Sequence, residues 1–277
     1  MNVQSTLRAP ITFEGVGLHT GADVRVEVRP AAVGSGIVFV LDDDIRVPAV
    51  AENVVDTSRA TVIGGKGKSV STVEHLLSAL FGMGVSNAEI TVWGPEIPVT
   101  DGSGKMFADA IARVGLEGQD AARAMMRLER AFEMRTGDRA VIVLPADAFR
   151  VRFLADFPAP VGTQYFDSEI TPAVYFEEIC AARTFGYLHE VEALLARGLA
   201  RGGSLDNAVV FDERGPMQPL RWPNEVVRHK VLDLLGDFAL LGAWPCCEIV
   251  AIKSGHDLHV AVARALRARE LVEHTYT

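Results

Sequence analysis

The sequence predicts an α+β fold of two similar domains, each with a layered sheet and helices, packed together. Its 277 residues suffice for one large domain or two of ordinary size. They are 49% apolar and 23% charged, which excludes a disordered or low-complexity chain. Each half also shows strand patterns followed by paired helical patterns, without a residue-level repeat. This shared order indicates two similar layered units.

The first half begins with short strands separated by turns. Apolar and charged residues alternate over residues 24–30, which is typical of a half-buried strand. Residues 37–41 are continuously apolar and predict a buried strand. The Gly-rich residues 63–68 predict a hairpin loop, and residues 88–92 predict a further strand.

The same half contains two helical patterns. From Ser71 onward, apolar side chains recur at three- and four-residue steps until Gly82 and Gly84, which predict the end of the helix. A second helix is predicted over residues 105–114, with Gly115 as its C-terminal stop.

The polar residues 117–120 separate the periodic segments and predict a boundary between domains at 1–120 and 121–277. Strands again precede helices in the second half. Its predicted elements are strands at 126–134, 140–144, 151–157 and 247–252, and helices at 176–180, 188–197, 223–241 and 258–268.

Charge and cysteine content narrow the class of protein. Thirty-six acidic residues against 27 basic ones give a net charge of −9, which disfavours nucleic acid as the main partner. Three cysteines, two of them adjacent, make a poor disulfide framework and favour a reducing cytoplasm. No apolar run is long enough to span a bilayer, and the N-terminus lacks a secretory pattern.

Two glycine motifs fail as nucleotide-binding loops. Residues 15–21 read G-x-G-x-x-x-G, one residue longer than the dinucleotide fingerprint, and no clear βαβ unit follows. Gly67-Lys68-Ser69 resembles the end of a phosphate loop, but Val62 stands where that pattern needs glycine. Both are better explained as turns, which disfavours a phosphotransferase.

Three segments carry titratable residues in unusual settings. Ser71 and Glu74 at a helix start match a capping box, but a cap does not explain His75 in the first turn. Taken alone, capping and chemistry are equally supported there. His256 follows a glycine after an apolar strand, where a mobile imidazole could face a cleft, although a surface loop histidine is the more ordinary explanation.

His229 and Asp233 lie four residues apart, so a helix presents both on one face, and Asp237 extends that row. An exposed ion pair is the commoner meaning of this spacing. Here the helix is so apolar that burial is expected, and buried charges need partners or a metal. Together with His75, the side chains of His229 and Asp233 match the three-ligand pattern of catalytic zinc. Glu74 would adjoin one of these ligands as a base.

These residues fall in a chain that resembles the UDP-3-O-acyl-N-acetylglucosamine deacetylases, the zinc amidases of bacterial lipid A synthesis. Seven segments in the family's order carry the resemblance over nearly the whole chain. They are 15–21 (GVGLHTG), 71–75 (STVEH), 94–103 (GPEIPVTDGS), 183–186 (RTFG), 197–204 (RGLARGGS), 228–237 (RHKVLDLLGD) and 253–256 (KSGH).

The resemblance implies a role for each matching residue. The zinc ligands fall on His75, His229 and Asp233, and the general base falls on Glu74. The cationic general acid falls on His256, oriented by Asp237. Oxyanion stabilisation and substrate binding beside the metal fall on Thr184 and Lys230, respectively.

The resemblance also implies an active site between the two domains and an insert at 183–212 that forms an apolar passage for the acyl chain. Substrate contacts are expected at Phe157 for uridine, at Phe185 and Leu205 for the acyl chain, and at Lys253 for the diphosphate. The implied cofactor is Zn²⁺, although Fe²⁺ suits the same ligands. The implied partner is an acylated UDP-amino sugar, with transient membrane contact allowed and a monomer as the family's state.

The chain departs from the family at residues 40–44, at residues 58–62 and at Thr100. None of these is a predicted metal ligand, but they could reshape the substrate pocket. One alternative is therefore a paralogue that deacetylates another N-acyl sugar nucleotide. A second is a non-catalytic, metal-stabilised binding protein, which would have little need for Glu74 or His256.

Overall fold

The computed structural model describes residues 3–273. The strands of the first half are β1 (Val3–Leu7), β2 (Ile11–Val16), β3 (Asp23–Pro30), β4 (Ile37–Leu41), β5 (Ile45–Pro48), β6 (Val54–Asp56), β7 (Val62–Gly65), β8 (Lys68–Val70) and β9 (Ala88–Trp93). Those of the second half are β10 (Leu116–Ala122), β11 (Met125–Arg127), β12 (Phe132–Thr136), β13 (Arg139–Pro145), β14 (Arg150–Asp156), β15 (Thr163–Glu169), β16 (Phe185–Tyr187), β17 (Val209–Asp212), β18 (Gly215–Pro216) and β19 (Trp244–Ile252). The helices are α1 (Glu74–Met83), α2 (Lys105–Val114), α3 (Pro172–Val174), α4 (Leu188–Ala196), α5 (Glu225–Ala239) and α6 (His256–Glu273).

The two main sheets have the same strand order. The first runs β2-β3-β9-β4-β5 and the second runs β12-β13-β19-β14-β15, with β11 also paired to β19. In each sheet, the strand that comes last along the chain lies between two hairpins, parallel to one neighbour and antiparallel to the other. The mixed sheets and helices confirm the predicted α+β class. The similarity of the halves extends from element order to topology.

One apolar core joins the two halves. It includes Val26 of β3, Val151 of β14, Leu76 of α1 and Leu234 of α5, all fully buried. Both helices are buried over almost their whole length. A helix that is apolar around most of its circumference belongs in an interior. The two helices that carry the predicted metal ligands therefore lie in the shared core.

The backbones of α1 and α5 meet at Gly236. A Cβ built on Gly236 would overlap the carbonyl oxygen, carbonyl carbon and Cα of Glu74. Only glycine lets the helices approach this closely, so Gly236 determines how near α5 comes to the first turn of α1.

Several sequence predictions about element boundaries are wrong, for tertiary reasons. Residues 117–120 are not a linker but part of β10, which pairs with β1. Residues 126–134 form two strands, because β11 joins β19 whereas β12 pairs with β13. Helix α1 continues through Gly82, against which the ring of Tyr175 packs, but it ends at Met83 with Gly84 as its C-cap, which confirms the predicted end of the helix. The strand β15 was not predicted at all. The domain boundary near residue 120 stays a prediction.

The segment predicted as an insert forms a small sheet of its own. Strand β16 pairs in parallel with β17, which pairs with β18, and α4 connects β16 to β17. Leu188 and Leu195 on α4 are about half exposed. Within residues 3–273, no helix is both long enough and apolar enough to cross a membrane.

Replacing Gly236 with alanine should destabilise the protein by ~2 kcal/mol, although alanine favours a helix by about 1 kcal/mol over glycine. The added methyl group meets backbone atoms of Glu74, which cannot rotate away as a side chain can. The midpoint of urea unfolding measures the change. Gly118→Ala is a matched control, since its Cβ would lie 3.7 Å from Val3, an ordinary contact. An unchanged midpoint for Gly236→Ala would contradict the proposed close packing.

Candidate metal centre and active site

The three predicted metal ligands converge where α1 meets α5. His75 lies in the first turn of α1, and His229 and Asp233 lie one turn apart on α5. The Oδ1 atom of Asp233 is 3.3 Å from Nε2 of His229 and 3.7 Å from Nε2 of His75. All three side chains are buried, and their ligand atoms lie within 4.8 Å of one another. Residues distant in sequence thus form one compact donor set.

The surroundings of Asp233 suit a bound cation. Its Oδ2 accepts a hydrogen bond of 2.7 Å from Nζ of Lys230, whereas its buried Oδ1 has no hydrogen-bond partner among the described residues. Burial alone would raise the pKa of Asp233, but the neighbouring His229 and Lys230 lower it well below its usual range. Near pH 7 the ammonium group of Lys230 supplies the positive charge that holds the carboxyl ionised. A buried, ionised oxygen without a donor is costly unless an ion completes it.

His229 is prepared as a ligand by its second nitrogen. Its Nδ1 donates a hydrogen bond of 3.1 Å to the carbonyl oxygen of Ala182, which leaves the lone pair on Nε2 facing Asp233 and His75. Burial lowers the pKa of His229 to about 4, so the imidazole is neutral near pH 7. Two imidazoles and one carboxylate are a donor set that fits zinc with an open coordination position, and the residues present therefore fit the ion.

Glu74 does not form the capping box that its spacing allows. Helix α1 begins at Glu74 itself, and no side chain caps its first turn. Instead, Oε2 of Glu74 accepts a hydrogen bond of 3.0 Å from the backbone N–H of Thr61. Burial raises the pKa of Glu74, although the neighbouring His256 and His75 work against this effect. A buried carboxylate with a raised pKa beside the donor set suits a proton acceptor.

His256 is neither a mobile nor a surface histidine, contrary to both sequence-based explanations. It is the first residue of α6, and its side chain is 11% exposed. Its Nδ1 donates a hydrogen bond of 2.8 Å to Oδ2 of Asp237, and its Nε2 lies 3.8 Å from Oε1 of Glu74. Burial alone would lower the pKa of His256, but the carboxylates of Asp237 and Glu74 raise it to about 9. The imidazole is therefore held as a cation opposite Glu74.

Two residues that the sequence analysis missed complete this group. The hydroxyl of Thr61 donates a hydrogen bond of 2.5 Å to Oδ1 of Asp237. Nδ1 of His259 donates one of 2.9 Å to Oδ2 of Asp237, and its Nε2 lies 2.8 Å from the hydroxyl of Ser254. His259 could have been found, because residues three apart on a helix share a face. Nothing in the sequence links Thr61 to Asp237.

A cavity of about 660 Å³ opens beside this group. The predicted residues Phe157, Thr184, Phe185, Leu205 and Lys230 all line it, together with Glu74, the three donor residues and His256. The rings of Phe157 and Phe185 meet edge to face, with centroids 5.0 Å apart. Apolar residues of the insert line the rest, namely Leu188, Val191, Leu194, Val210 and Met217.

Lys253 is a predicted substrate-binding residue that the structure does not bring to the cavity, since it is not among the lining residues. Its Nζ lies 2.6 Å from Asp156 and 3.1 Å from Asp138, so two carboxylates already neutralise the ammonium group. Asp237 also lies behind the cavity wall, where it contacts His256 rather than the cavity itself.

The glycine motif at residues 15–21 is a turn held by a buried carboxylate. The side chain of Glu96 accepts hydrogen bonds from the backbone N–H groups of His19 and Thr20 and from the hydroxyls of Thr20 and Thr72. A Cβ on Gly17 would overlap that carboxylate. This contact presents Leu18 and His19 to the cavity, so the motif forms a turn that positions part of the cavity wall.

Comparison with known proteins agrees with this geometry. The family model of UDP-3-O-acyl N-acetylglycosamine deacetylase matches residues 4–268. A protein of Phenylobacterium zucineum is 46% identical over 274 residues, which cover 96% of this chain and 94% of its own. Proteins of Syntrophotalea carbinolica and Myxococcus xanthus are each 44% identical, cover 94% of this chain, and are covered over 86% and 85% of their lengths. All three are named UDP-3-O-acyl-N-acetylglucosamine deacetylase. The chain therefore belongs to the UDP-3-O-acyl N-acetylglycosamine deacetylase family.

Proposed function

We propose that this protein is a metal-dependent amidohydrolase that removes the N-acetyl group from UDP-3-O-acyl-N-acetylglucosamine, the deacetylation step of lipid A synthesis. Water cleaves the amide C–N bond, giving acetate and the free amine. One observation carries the proposal. Glu74, the donor set and the Asp237–His256 pair all meet at the cavity whose other wall is apolar. The names of the relatives supply the substrate.

His75, His229 and Asp233 would hold the metal ion. Zn²⁺ is the ion we propose, and Fe²⁺ accepts the same donors. When bound, the ion supplies Lewis acidity that polarises the amide carbonyl and makes the hydrolytic water more acidic. Lys230 supports this site, because its hydrogen bond to Oδ2 of Asp233 leaves Oδ1 directed at the ion.

The protein's own groups move the protons. Glu74 takes a proton from the attacking water, since its buried carboxylate adjoins His75 and has one oxygen free of the Thr61 N–H. His256 gives a proton to the leaving nitrogen. Asp237 keeps Nδ1 of His256 protonated and turned away from the substrate. A carboxylate and a protonated imidazole that face each other are suited to serve as base and acid.

Other cavity residues orient the substrate. Thr184 and Lys230 would stabilise the developing negative charge on the carbonyl oxygen, because both line the cavity beside the donor set. Phe185 and Leu205 would contact the acyl chain in the apolar passage of the insert, and Phe157 would stack on uracil. We further propose a monomeric, cytoplasmic enzyme. A metal-stabilised binding protein is not favoured, since it would not need the Glu74–His256 pair.

Glu74→Gln should lower acetate release by about 10²- to 10⁴-fold, because the amide cannot accept the water proton. The variant keeps the side-chain size and the hydrogen bond from Thr61, so metal content should not change. Acetate released from the UDP-sugar is measured with zinc-loaded protein, with and without a chelator. Release that resists the chelator, or survives in the variant, would contradict the proposed chemistry. Metal binding without release by the wild type would point to a paralogue with another substrate.

Activity should fall above about pH 9, where His256 loses its proton. Burial alone would lower the pKa of His256, but its neighbours raise it, and Asp237 contributes most to the rise. The raised pKa keeps His256 protonated through neutral pH. Asp237→Asn removes that charge, so the fall should move to lower pH. Profiles of kcat against pH for the wild type and for Asp237→Asn measure the position of this fall. A high-pH fall that persists unchanged in His256→Gln would assign the acid to a different group.

Thr61→Val should lower kcat about tenfold with little change in KM, since a hydrogen bond to a charged group contributes about 1.5–3 kcal/mol. Valine keeps the N–H that Glu74 needs but leaves Oδ1 of Asp237 without its donor. Thr61→Ser restores the hydroxyl and should recover most of the rate. Equal rates for the valine and serine variants would exclude the hydroxyl from catalysis.

A further inference from the structure

The cavity contains one cationic side chain that no other residue neutralises. Arg59 and Lys230 are the arginine and lysine among its lining residues. Lys230 donates to Asp233 at 2.7 Å. Arg59 is exposed and, within residues 3–273, forms no hydrogen bond or ion pair. An arginine is a strong donor to phosphate because its planar guanidinium forms two parallel hydrogen bonds.

The backbone segment that contains Arg59 is anchored close to the reacting groups. Two residues further on, the N–H of Thr61 binds Glu74 and its hydroxyl binds Asp237, so the backbone of this segment is anchored to the catalytic cluster. Ala60, between them, is buried. Arg59 lines the same cavity as Leu18 and His19 of the turn at residues 15–21. Burial lowers the pKa of His19, Glu96 opposes this effect, and the charge of Arg59 adds to it.

The proposed substrate carries negative charge close to the reacting amide, which a cation in the cavity would neutralise. In the proposed substrate, the diphosphate is attached to the sugar carbon next to the one that bears the acetamide. Two phosphates therefore enter the cavity close to the reacting bond. Their charge cannot be satisfied by the apolar wall of the insert, and Glu74 and Asp233 would repel it.

Two other basic residues near the cavity already bind carboxylates. Lys253 is bound by Asp156 and Asp138, and Arg139 forms two hydrogen bonds with Asp257, of 2.8 and 2.9 Å. To bind phosphate, Lys253 or Arg139 would first have to release a carboxylate, whereas Arg59 would not.

We propose that Arg59 binds the diphosphate of the substrate and thereby makes the cavity selective for a sugar nucleotide over an uncharged sugar. This inference rests on the proposed function and extends it to a residue in the segment that joins β6 to β7. Arg59 contacts no reacting atom, so it acts on binding rather than on the chemical step.

Calorimetric titration of the zinc-loaded protein with UDP and with uridine tests the proposal. Arg59→Gln should weaken UDP binding about tenfold, and Arg59→Lys should weaken it less. Uridine, which has no phosphate, should bind all forms alike. The tenfold difference should shrink at high salt, since the guanidinium is exposed. Arg46→Gln is the matched control, because Arg46 is an exposed arginine that does not line the cavity.

Steady-state kinetics give the second readout. Arg59→Gln should raise KM for the UDP-sugar about tenfold and change kcat by less than about threefold. Unchanged UDP affinity and KM would overturn the proposal, as would a loss confined to Lys253→Gln. A fall in kcat with unchanged KM would place Arg59 at the amide instead and would also overturn it. If the wild type releases no acetate, the proposed function fails, while the UDP and uridine titrations still decide the role of Arg59.

Discussion

The close approach of α5 to the first turn of α1 is the contact on which the whole site depends. At Gly236 the two backbones touch, and no side chain intervenes. The approach sets two consecutive residues of α1 against a row of α5 residues spaced four apart. His75 then faces His229 and Asp233, whereas Glu74 faces the neighbourhood of Asp237. A short stretch of each helix therefore supplies both the donor set and the proton-transfer groups.

Burial gives the three central carboxylates different properties according to their partners. Asp233 is held ionised by the ammonium group of Lys230, and Asp237 by His256 and His259. Glu74 has a single hydrogen bond, from a backbone N–H, and its pKa is raised. In a low-dielectric interior such differences are amplified, so chemically similar groups can act as ligand, orienting group and base.

Not every buried acid near the cavity has a chemical role. Glu96 uses its oxygens on the loop that contains His19, and Glu225 accepts hydrogen bonds from Arg183 and from the backbone of Arg221. These carboxylates hold the segments on either side of the cavity, and the second fixes the backbone beside Thr184. Asp233 differs from both, because its buried Oδ1 has no hydrogen-bond donor among the described residues.

The sequence by itself determined the α+β class, most of the helices, the three inner strands of each main sheet, and the residues that we propose as the donor set. Hydrophobic periodicity and the four-residue spacing of His229 and Asp233 are local properties, which can be recognised in a single sequence. Only the tertiary structure decided that Glu74 meets Thr61 rather than capping its helix, that α6 holds His256 rigidly, and that Lys253 is neutralised while Arg59 is not. These outcomes depend on contacts between segments far apart in sequence. No local propensity encodes which buried groups will meet, because that is set by how the sheets and helices pack.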